Sequence, residues 1–242
     1  MSRVLVLRLA GPMQSWGSAS RFTNRSTEFF PTKSGIVGLL AAAEGRRRTD
    51  PIEDLASLTM AARIDQPGEL LEDFHTAHRG DKAMPLSWRY YVSDAVFAAF
   101  IGGPDDLIDA LADAIRNPVY PLFLGRRACP PTLPLLLETR EGTIWKAIEE
   151  LPWLAANFHQ RRHRFDERVS LRVVADRGVI PGQDLSTRDI RDVPITFDPL
   201  RREYGTRTVE ESRVDIMNPA FVGVRNPGLG GEVLSHDPME VL

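Results

Sequence analysis

The chain has 242 residues, 43% hydrophobic and 26% charged, a composition that excludes a disordered or fibrous protein. Its net charge of −3 argues against binding nucleic acid through overall charge, and its single cysteine, Cys129, excludes an intrachain disulfide and fits a reducing compartment. No apolar run approaches the roughly 18 residues of a membrane span or the pattern of a secretory signal, so we expect a cytoplasmic protein with no membrane partner.

The first predicted elements are a strand and a helix separated by a long polar loop. Val and Leu dominate residues 3–9, which predicts a buried strand. The next twenty or so residues show no helical periodicity, and a loop of that length indicates function. A helix is predicted from Ser34 to about Glu44, with Ser34 or Thr32 as its cap and Gly45 as its stop.

The middle of the chain alternates strands with two helices. A short helix is predicted in DPIEDLASL, then strands in TMAARID and LLEDFHTA, and a polar excursion at 77–88. RYYVSDAVFAAFIG is predicted to form one long strand. Apolar residues recur at helical spacing in GPDDLIDALADAIRNP, which is the clearest helix signal in the sequence.

The last part of the chain is predicted to be rich in strands. YPLFLGRRACPPTLPL reads as a strand followed by a proline-rich loop, and TIWKAIEELPWL as a short helix. Further strands are predicted at 167–176, 193–197 and 205–215, before a loosely ordered tail from 217. The core order of strand, helix, strands, helix and strand is that of a ferredoxin-like fold, which RNA-recognition domains also use.

The stretch PTKSGIVGLL at 31–40 places a lysine at the start of the first helix. It is not a nucleotide-binding P-loop, because Pro31 and Thr32 stand where glycine is required. Free N–H groups at a helix start, beside the ammonium of Lys33, can still bind an anion. The alternative is a plain cap at Ser34 with a solvated lysine.

Two further motifs are predicted to lie beside that helix start. QSWG, residues 14–17, follows the first strand, and LGRR, residues 124–127, ends a predicted strand. If the two strands are neighbours, their loops converge with Lys33 and supply the phosphate-binding and stacking groups of a single-stranded RNA site. The alternatives are a core role for Trp16 and a solvated strand end at the two arginines.

His75 and His78 are candidates for metal binding or for acid–base catalysis. No cysteine pair or HExxH motif accompanies them, so we expect no metal and no cofactor. With Tyr90 and Lys33 they could instead form a metal-independent ribonuclease of the general acid–base type.

Five blocks of the sequence resemble, in order, the CasD family of the type I-E CRISPR surveillance complex, Cascade. They are LRLAGPMQSWG, FPTKSGIVGLLAA, RYYVSDAVF, YPLFLGRRACP, and RDVPITF with REYGTR. The resemblance implies an α+β protein with a ferredoxin-like, RNA-recognition-motif-like palm, a protruding thumb hairpin and a smaller C-terminal β-rich part. It implies one RNA-binding domain over 1–216 with additional C-terminal strands, a thumb near 75–90, and a loosely ordered extension over 217–242.

The resemblance also implies a function and a set of contacts. CasD holds the 5′ handle of the guide crRNA without catalysis, caps the CasC backbone filament, and lies beside CasA, which supports target DNA recognition in antiviral defence. Relatives in type I-C systems cut precursor RNA, so a metal-independent endoribonuclease remains the alternative. The residues implied to bind RNA are Gln14, Ser15, Trp16, Gly17, Lys33, Ser34, Arg126 and Arg127, with His78 and Arg79 on the thumb.

Overall fold

A computed structural model describes residues 3–18, 24–183 and 185–223, and within these ranges it contains thirteen strands and five helices. The strands are β1 (Arg3–Ala10), β2 (Met13–Gln14), β3 (Asn24–Arg25), β4 (Thr59–Gln66), β5 (Glu69–His75), β6 (His78–Arg79), β7 (Lys82–Ala83), β8 (Ser87–Ser93), β9 (Val96–Gly103), β10 (Leu136–Glu141), β11 (Arg168–Asp176), β12 (Ser186–Thr196) and β13 (Glu203–Met217). The helices are α1 (Lys33–Glu44), α2 (Glu53–Ala56), α3 (Asp105–Arg116), α4 (Ile144–Glu150) and α5 (Asn157–Arg162). None of these helices is long and apolar enough to cross a membrane.

The main sheet has seven strands in the order β10-β1-β9-β4-β11-β13-β12, and every neighbouring pair is antiparallel. Four of these strands, β1, β4, β9 and β10, alternate with two helices along the chain in the order β1, α1, β4, β9, α3 and β10. Other elements lie between some of them. The three C-terminal strands extend the same sheet beyond β4. The protein is therefore a mixed α+β structure built mostly from antiparallel strands.

Both faces of the main sheet are covered, which explains the continuous apolar run of the first strand. Successive side chains of a strand point to opposite faces. Leu5 and Leu7 pack with α1, α2 and α3 on one face, whereas Val4 and Val6 pack with α4 and Trp153 on the other. We call these the α1 face and the α4 face.

The predicted single strand RYYVSDAVFAAFIG is wrong, because the chain turns at Asp94. This residue adopts φ 55°, a left-handed conformation that aspartate tolerates better than most residues. β8 therefore leaves the main sheet and pairs along its whole length with β5, while β9 enters the sheet. Residues 69–93 form a ribbon in which every residue of β5 is exposed.

The strand predicted in YPLFLGRRACP is also wrong. Residues 118–135 contain no strand, and the backbone N–H of Leu124 instead donates to the carbonyl of Cys129, closing a turn around Gly125. Glycine and the prolines that follow it disfavour a paired strand here. The strand β10 begins only after the prolines, and neither it nor α5 was predicted.

Residues 217 and 218, the first of the segment predicted to be a loosely ordered tail, belong to the ordered structure. Met217 is the last residue of β13, and Asn218 is buried. The Asn218 side-chain amide donates to the carbonyl of His163 at 2.7 Å, so the chain is held by side-chain bonds at this point. Residues 224–242 of the predicted extension lie outside the described residues.

Candidate nucleic-acid interface

The structure brings the first loop against the Gly-Arg-Arg turn. The backbone N–H of Ser15 donates to the carbonyl of Leu124 at 3.1 Å, and its hydroxyl donates to the carbonyl of Tyr90 at 3.2 Å. Gly125 has φ 83°, and a Cβ at that position would lie 1.7 Å from the Ser15 carbonyl oxygen. The close approach therefore requires glycine.

Trp16 and Gln14 hold the first loop from inside the protein. Both are fully buried, and the Trp16 indole N–H donates to the Gln14 side-chain oxygen at 3.1 Å. The Gln14 amide nitrogen donates to the carbonyl of Ala95 at 2.8 Å. The Trp16 ring lies so close to Gly35 of α1 that a Cβ there would be 2.7 Å from it. Trp16 thus presents no face for stacking, whereas Gly17 is exposed.

An internal carboxylate already occupies the start of α1. Thr32 is the N-cap residue but its side chain makes no capping hydrogen bond, and Ser34 lies within the first turn rather than at the cap. Instead, the backbone N–H of Lys33 donates to the carboxylate of Asp192 at 2.7 Å. The Lys33 side chain is only 10% exposed, and its ammonium lies 3.3 Å from the Asp176 carboxylate. The anion predicted at this helix start is supplied by the chain itself.

Arg207 completes this buried charge network. Its Nε and Nη2 atoms donate to the two oxygens of Asp192 at 2.7 and 2.8 Å, and Nη1 donates to Asp176. Burial opposes the charge of Arg207, but the hydrogen bonds and charges of the two aspartates outweigh burial and raise its pKa. Two acids and two bases therefore balance one another and tie α1 to the C-terminal strands.

A cluster of arginines lies on the outer side of the same loops. β3 pairs with β8 so that Arg25 is opposite Arg89. The Arg126 Nη2 atom donates to the carbonyl of Arg25 at 2.9 Å, and its guanidinium carbon lies 4.6 Å from the centroid of the Tyr91 ring. Since Arg89 and Tyr91 are two residues apart, they share one face of β8. Arg25, Arg89, Arg126 and the exposed Arg127 form what we call the arginine cluster.

Two guanidinium groups of this cluster have unused donors. Arg89 Nε and Arg126 Nη1 are buried atoms without a hydrogen-bond partner among the described residues. A buried unsatisfied donor costs about 1–3 kcal/mol, and the cations also repel one another. A bound anion would relieve both penalties, and arginine forks suit phosphate.

An exposed indole directly precedes Arg89 in β8 and therefore points to the opposite face of that strand. Trp88 is opposite Asn24 in the β3–β8 pairing, is 40% exposed, and packs edge-on against Phe74 with the ring centroids 6.0 Å apart. Trp88 is exposed whereas Trp16 is buried, but the Trp88 ring lies on the face of β8 opposite to Arg89 and Tyr91. The sequence predicted Arg126 and Arg127 as candidates but not Arg25 or Arg89, because only the β3–β8 pairing and the Arg126–Arg25 hydrogen bond bring these residues together.

The remaining candidates lie on the ribbon of residues 69–93. β6 and β7 form a small hairpin in which His78 pairs with Ala83, and Arg79 pairs with Lys82 through the backbone. His78 is exposed. These two residues are thus placed on the ribbon rather than in the arginine cluster.

Two of the four groups in the ribonuclease alternative, Tyr90 and Lys33, are bonded to carboxylates. The Tyr90 hydroxyl donates to Glu72 at 2.9 Å, and this hydrogen bond raises the pKa of Tyr90. The Lys33 ammonium is paired with Asp176. Within the described ranges, no three His, Cys, Asp or Glu side chains are grouped to hold a metal ion.

Comparison with known proteins gives consistent matches. The family model for the CRISPR-associated protein Cas5 matches residues 4–210. The CRISPR system Cascade subunit CasD of Escherichia coli K12 is 37% identical over 165 residues, covering 59% of this chain and 74% of that protein. A chain of a solved CRISPR RNA-guided surveillance complex superposes with a TM-score of 0.74 at 30% identity, covering 91% of this chain and 94% of its own. A crystal structure of a Cas protein gives a TM-score of 0.67 at 33% identity, with 93% and 99% covered.

Proposed function

The chain belongs to the Cas5 family of CRISPR-associated proteins, as its resemblance to CasD indicated, and we propose that it binds guide RNA as a non-catalytic subunit of a Cascade complex. The similarity to a chain of an RNA-guided surveillance complex, across 91% of the sequence, supports a role within such an assembly. Tyr90 is hydrogen-bonded to Glu72 and Lys33 is paired with Asp176, which supports binding without catalysis.

The palm of this subunit is the ferredoxin-like unit β1–α1–β4–β9–α3–β10. Its sheet order β10-β1-β9-β4 is the order in which a split βαβ unit pairs its strands. The thumb is the ribbon of residues 69–93, longer than the segment 75–90 predicted from the sequence, and it carries His78 and Arg79.

The RNA ligand is the 5′ handle of the crRNA, and the arginine cluster is its phosphate-binding surface. The observation that carries this proposal is the pair of unpartnered donors, Arg89 Nε and Arg126 Nη1, together with the exposed Arg127 that follows Arg126. Guanidinium forks bind the phosphates of the RNA backbone, because their paired N–H donors match two phosphate oxygens. Gly17 is exposed and has no side chain, which allows the RNA strand to approach the first loop.

The other predicted site residues position this surface. Gln14, Ser15 and Trp16 fix the first loop against Gly125, and Ser34 and Lys33 belong to the buried helix start. Lys33 acts through Asp176 and Asp192 rather than by meeting a phosphate, because its ammonium is buried and paired.

The proposed partners are the other subunits of the Cascade complex. The thumb exposes Leu70 and Phe74 on one face of β5, an apolar surface that a neighbouring CasC backbone subunit would cover. CasA would dock near the palm, and target DNA would be bound by the assembled complex rather than by this subunit alone.

Titration of handle RNA at several salt concentrations tests the proposal. Each phosphate contact to a single strand contributes about 0.7 to the slope of log K against log salt. Arg126→Gln and Arg127→Gln should each reduce the slope by about that amount. Arg201→Gln, an exposed arginine in the turn between β12 and β13, is the matched control and should leave the slope unchanged.

Wild-type slopes in both cluster variants would refute the assignment. The same preparations, incubated with repeat RNA in EDTA, should show no cleavage. Cleavage that disappears in His78→Ala or Tyr90→Ala would replace the proposal with the ribonuclease alternative.

A further inference from the structure

A second surface rich in arginine and aromatic residues lies around α5. Residues 157–168 read NFHQRRHRFDER, with four arginines, two histidines and two phenylalanines, and none of them belongs to the arginine cluster. Phe158 and Phe165 are 48% and 39% exposed. Arg161, Arg162 and Arg164 are all exposed as well. We call this surface the α5 patch.

Arginines and rings are in contact within the α5 patch. The Arg162 guanidinium carbon lies 5.6 Å from the centroid of Phe158, one helical turn earlier, and that of Arg164 lies 4.8 Å from the centroid of Phe165. Two exposed guanidinium groups are thus held over exposed rings, and neither forms an ion pair within the described part of the chain. Burial, together with the charges of His163 and Arg162, lowers the pKa of His159, so arginine supplies the positive charge of the patch near neutral pH.

A rigid platform supports the α5 patch. His159 and His163 pack edge-on against the buried ring of Trp153, whose indole N–H donates to the carbonyl of Asp65 at 2.8 Å. The side chain of Gln160 donates to the carbonyls of Trp153 and Ala155. The exposed rings therefore require little ordering before they bind a ligand.

Asn218 closes the other end of this platform. Its side-chain amide donates to the carbonyl of His163 at 2.7 Å, and the backbone N–H of Val222 donates to the carbonyl of Arg164 at 2.9 Å. The turn that carries Arg164 and Phe165 is thus tied to the end of β13. The patch is a built surface rather than a loose loop.

The α5 patch is separate from the arginine cluster. Trp153, on which the patch rests, packs on the α4 face of the main sheet. Tyr91, on which Arg126 rests, packs on the α1 face. A nucleic-acid segment bound to the arginine cluster therefore leaves the α5 patch available to bind a second segment.

We propose that the α5 patch is a second nucleic-acid site, which binds single-stranded polynucleotide without sequence preference. Exposed rings among arginines are the parts that single-strand binding needs, because every base has a face to stack and every nucleotide a phosphate. A duplex offers phosphates but hides its base faces, so the rings favour the single strand. The charge complementarity with a polyanion is local, since the whole chain carries −3.

Salt-dependent binding of non-repeat oligonucleotides tests this site. The probes are oligothymidylate and oligouridylate of about 16 nucleotides, which separate DNA from RNA as the source of the strand. The double variant Arg161→Gln/Arg162→Gln should reduce the salt slope by about 1.4, since two contacts at about 0.7 each are lost. Arg201→Gln/Arg202→Gln removes the same charge from the exposed β12–β13 turn and should leave the slope unchanged.

The aromatic contribution is tested at Phe158. Phe158→Ala should weaken binding of either probe about fivefold or more, and Phe158→Tyr should restore it because the ring face returns. Crosslinking with 4-thiothymidine should mark the peptide that contains residues 157–168. Handle RNA should bind these variants as it binds the wild type, so failure of the handle proposal leaves this one standing.

Several results would overturn the proposal. They are wild-type affinity in both Arg161→Gln/Arg162→Gln and Phe158→Ala, an equal loss in Arg201→Gln/Arg202→Gln, or equal affinity for a duplex of the same length. Cosedimentation with phosphatidylglycerol vesicles without oligonucleotide binding would assign the patch to a membrane surface instead.

Discussion

Replacing Gly35 by alanine tests the contact that joins the first loop to α1. A Cβ at Gly35 would lie 2.7 Å from Cε3 and 2.8 Å from Cζ3 of Trp16, closer than carbon atoms approach without a shift. Trp16 is fully buried and its indole is hydrogen-bonded to Gln14, so the ring has no open space to enter. Overpacking of this kind costs about 1–3 kcal/mol.

Gly38 of the same helix provides a matched control. A Cβ there would meet Cζ of Phe197 at 3.7 Å, an ordinary van der Waals distance. Alanine is favoured over glycine in a helix interior by about 1 kcal/mol, and that gain applies to both positions. The difference between the two variants therefore isolates the overpacking at Trp16.

Urea denaturation of both variants gives the required comparison. We expect Gly38→Ala to match or exceed the wild-type free energy of unfolding, and Gly35→Ala to lie about 1–3 kcal/mol below Gly38→Ala. Because Ser15 and Gly125 are in contact, a displaced Trp16 should also weaken handle RNA binding by Gly35→Ala. Equal stability of the two variants would refute the close packing of Trp16 on α1.

Two further predictions concern buried and partly buried charges. Asp192→Asn removes the carboxylate that accepts hydrogen bonds from Lys33 and Arg207, and breaking a buried ion pair should cost about 3–5 kcal/mol of unfolding free energy. The control is Asp189→Asn, an exposed position on the same strand, which should cost less than about 1 kcal/mol. Similar losses of stability in the two variants would contradict the buried charge network. His159 has a lowered pKa in the folded chain, so the unfolded chain binds its proton more tightly, and stability should fall as the pH drops through about 6.5. His159→Gln should flatten that fall in urea titrations between about pH 7 and 5, and an unchanged slope would show that His159 does not contribute.

The elements with strong local signals could be predicted from the sequence. α3 follows from its helical apolar spacing, and α1 ends at Gly45, which adopts the left-handed conformation of a helix C-cap. QSWG, LGRR and the helix start do lie together, but through the contacts of Ser15 with Leu124 and of Trp16 with Gly35 rather than through neighbouring strands. The strand break at Asp94 could not be read from the apolar pattern, because apolar and aromatic residues continue on both sides of it.

The candidate site could be predicted only in part, because its chemistry depends on distant residues. Lys33 has the sequence context of an anion site, but the anions are Asp176 and Asp192, which are 143 and 159 residues away. Trp16 has the residue type of a stacking platform, but it is fully buried because the first loop packs against Gly35 of α1. Arg25 and Arg89 join Arg126 through strand pairing that no local pattern reveals.

The most direct test of the central claim is ultraviolet crosslinking of RNA to this chain in the purified assembly, with sequencing of the RNA and mass spectrometry of the peptide. The account predicts repeat-derived nucleotides at the 5′ end of the guide, joined to peptides that contain Trp88 or Arg126. Crosslinks confined to the spacer or to the 3′ end, or an assembly without repeat-derived RNA, would contradict it.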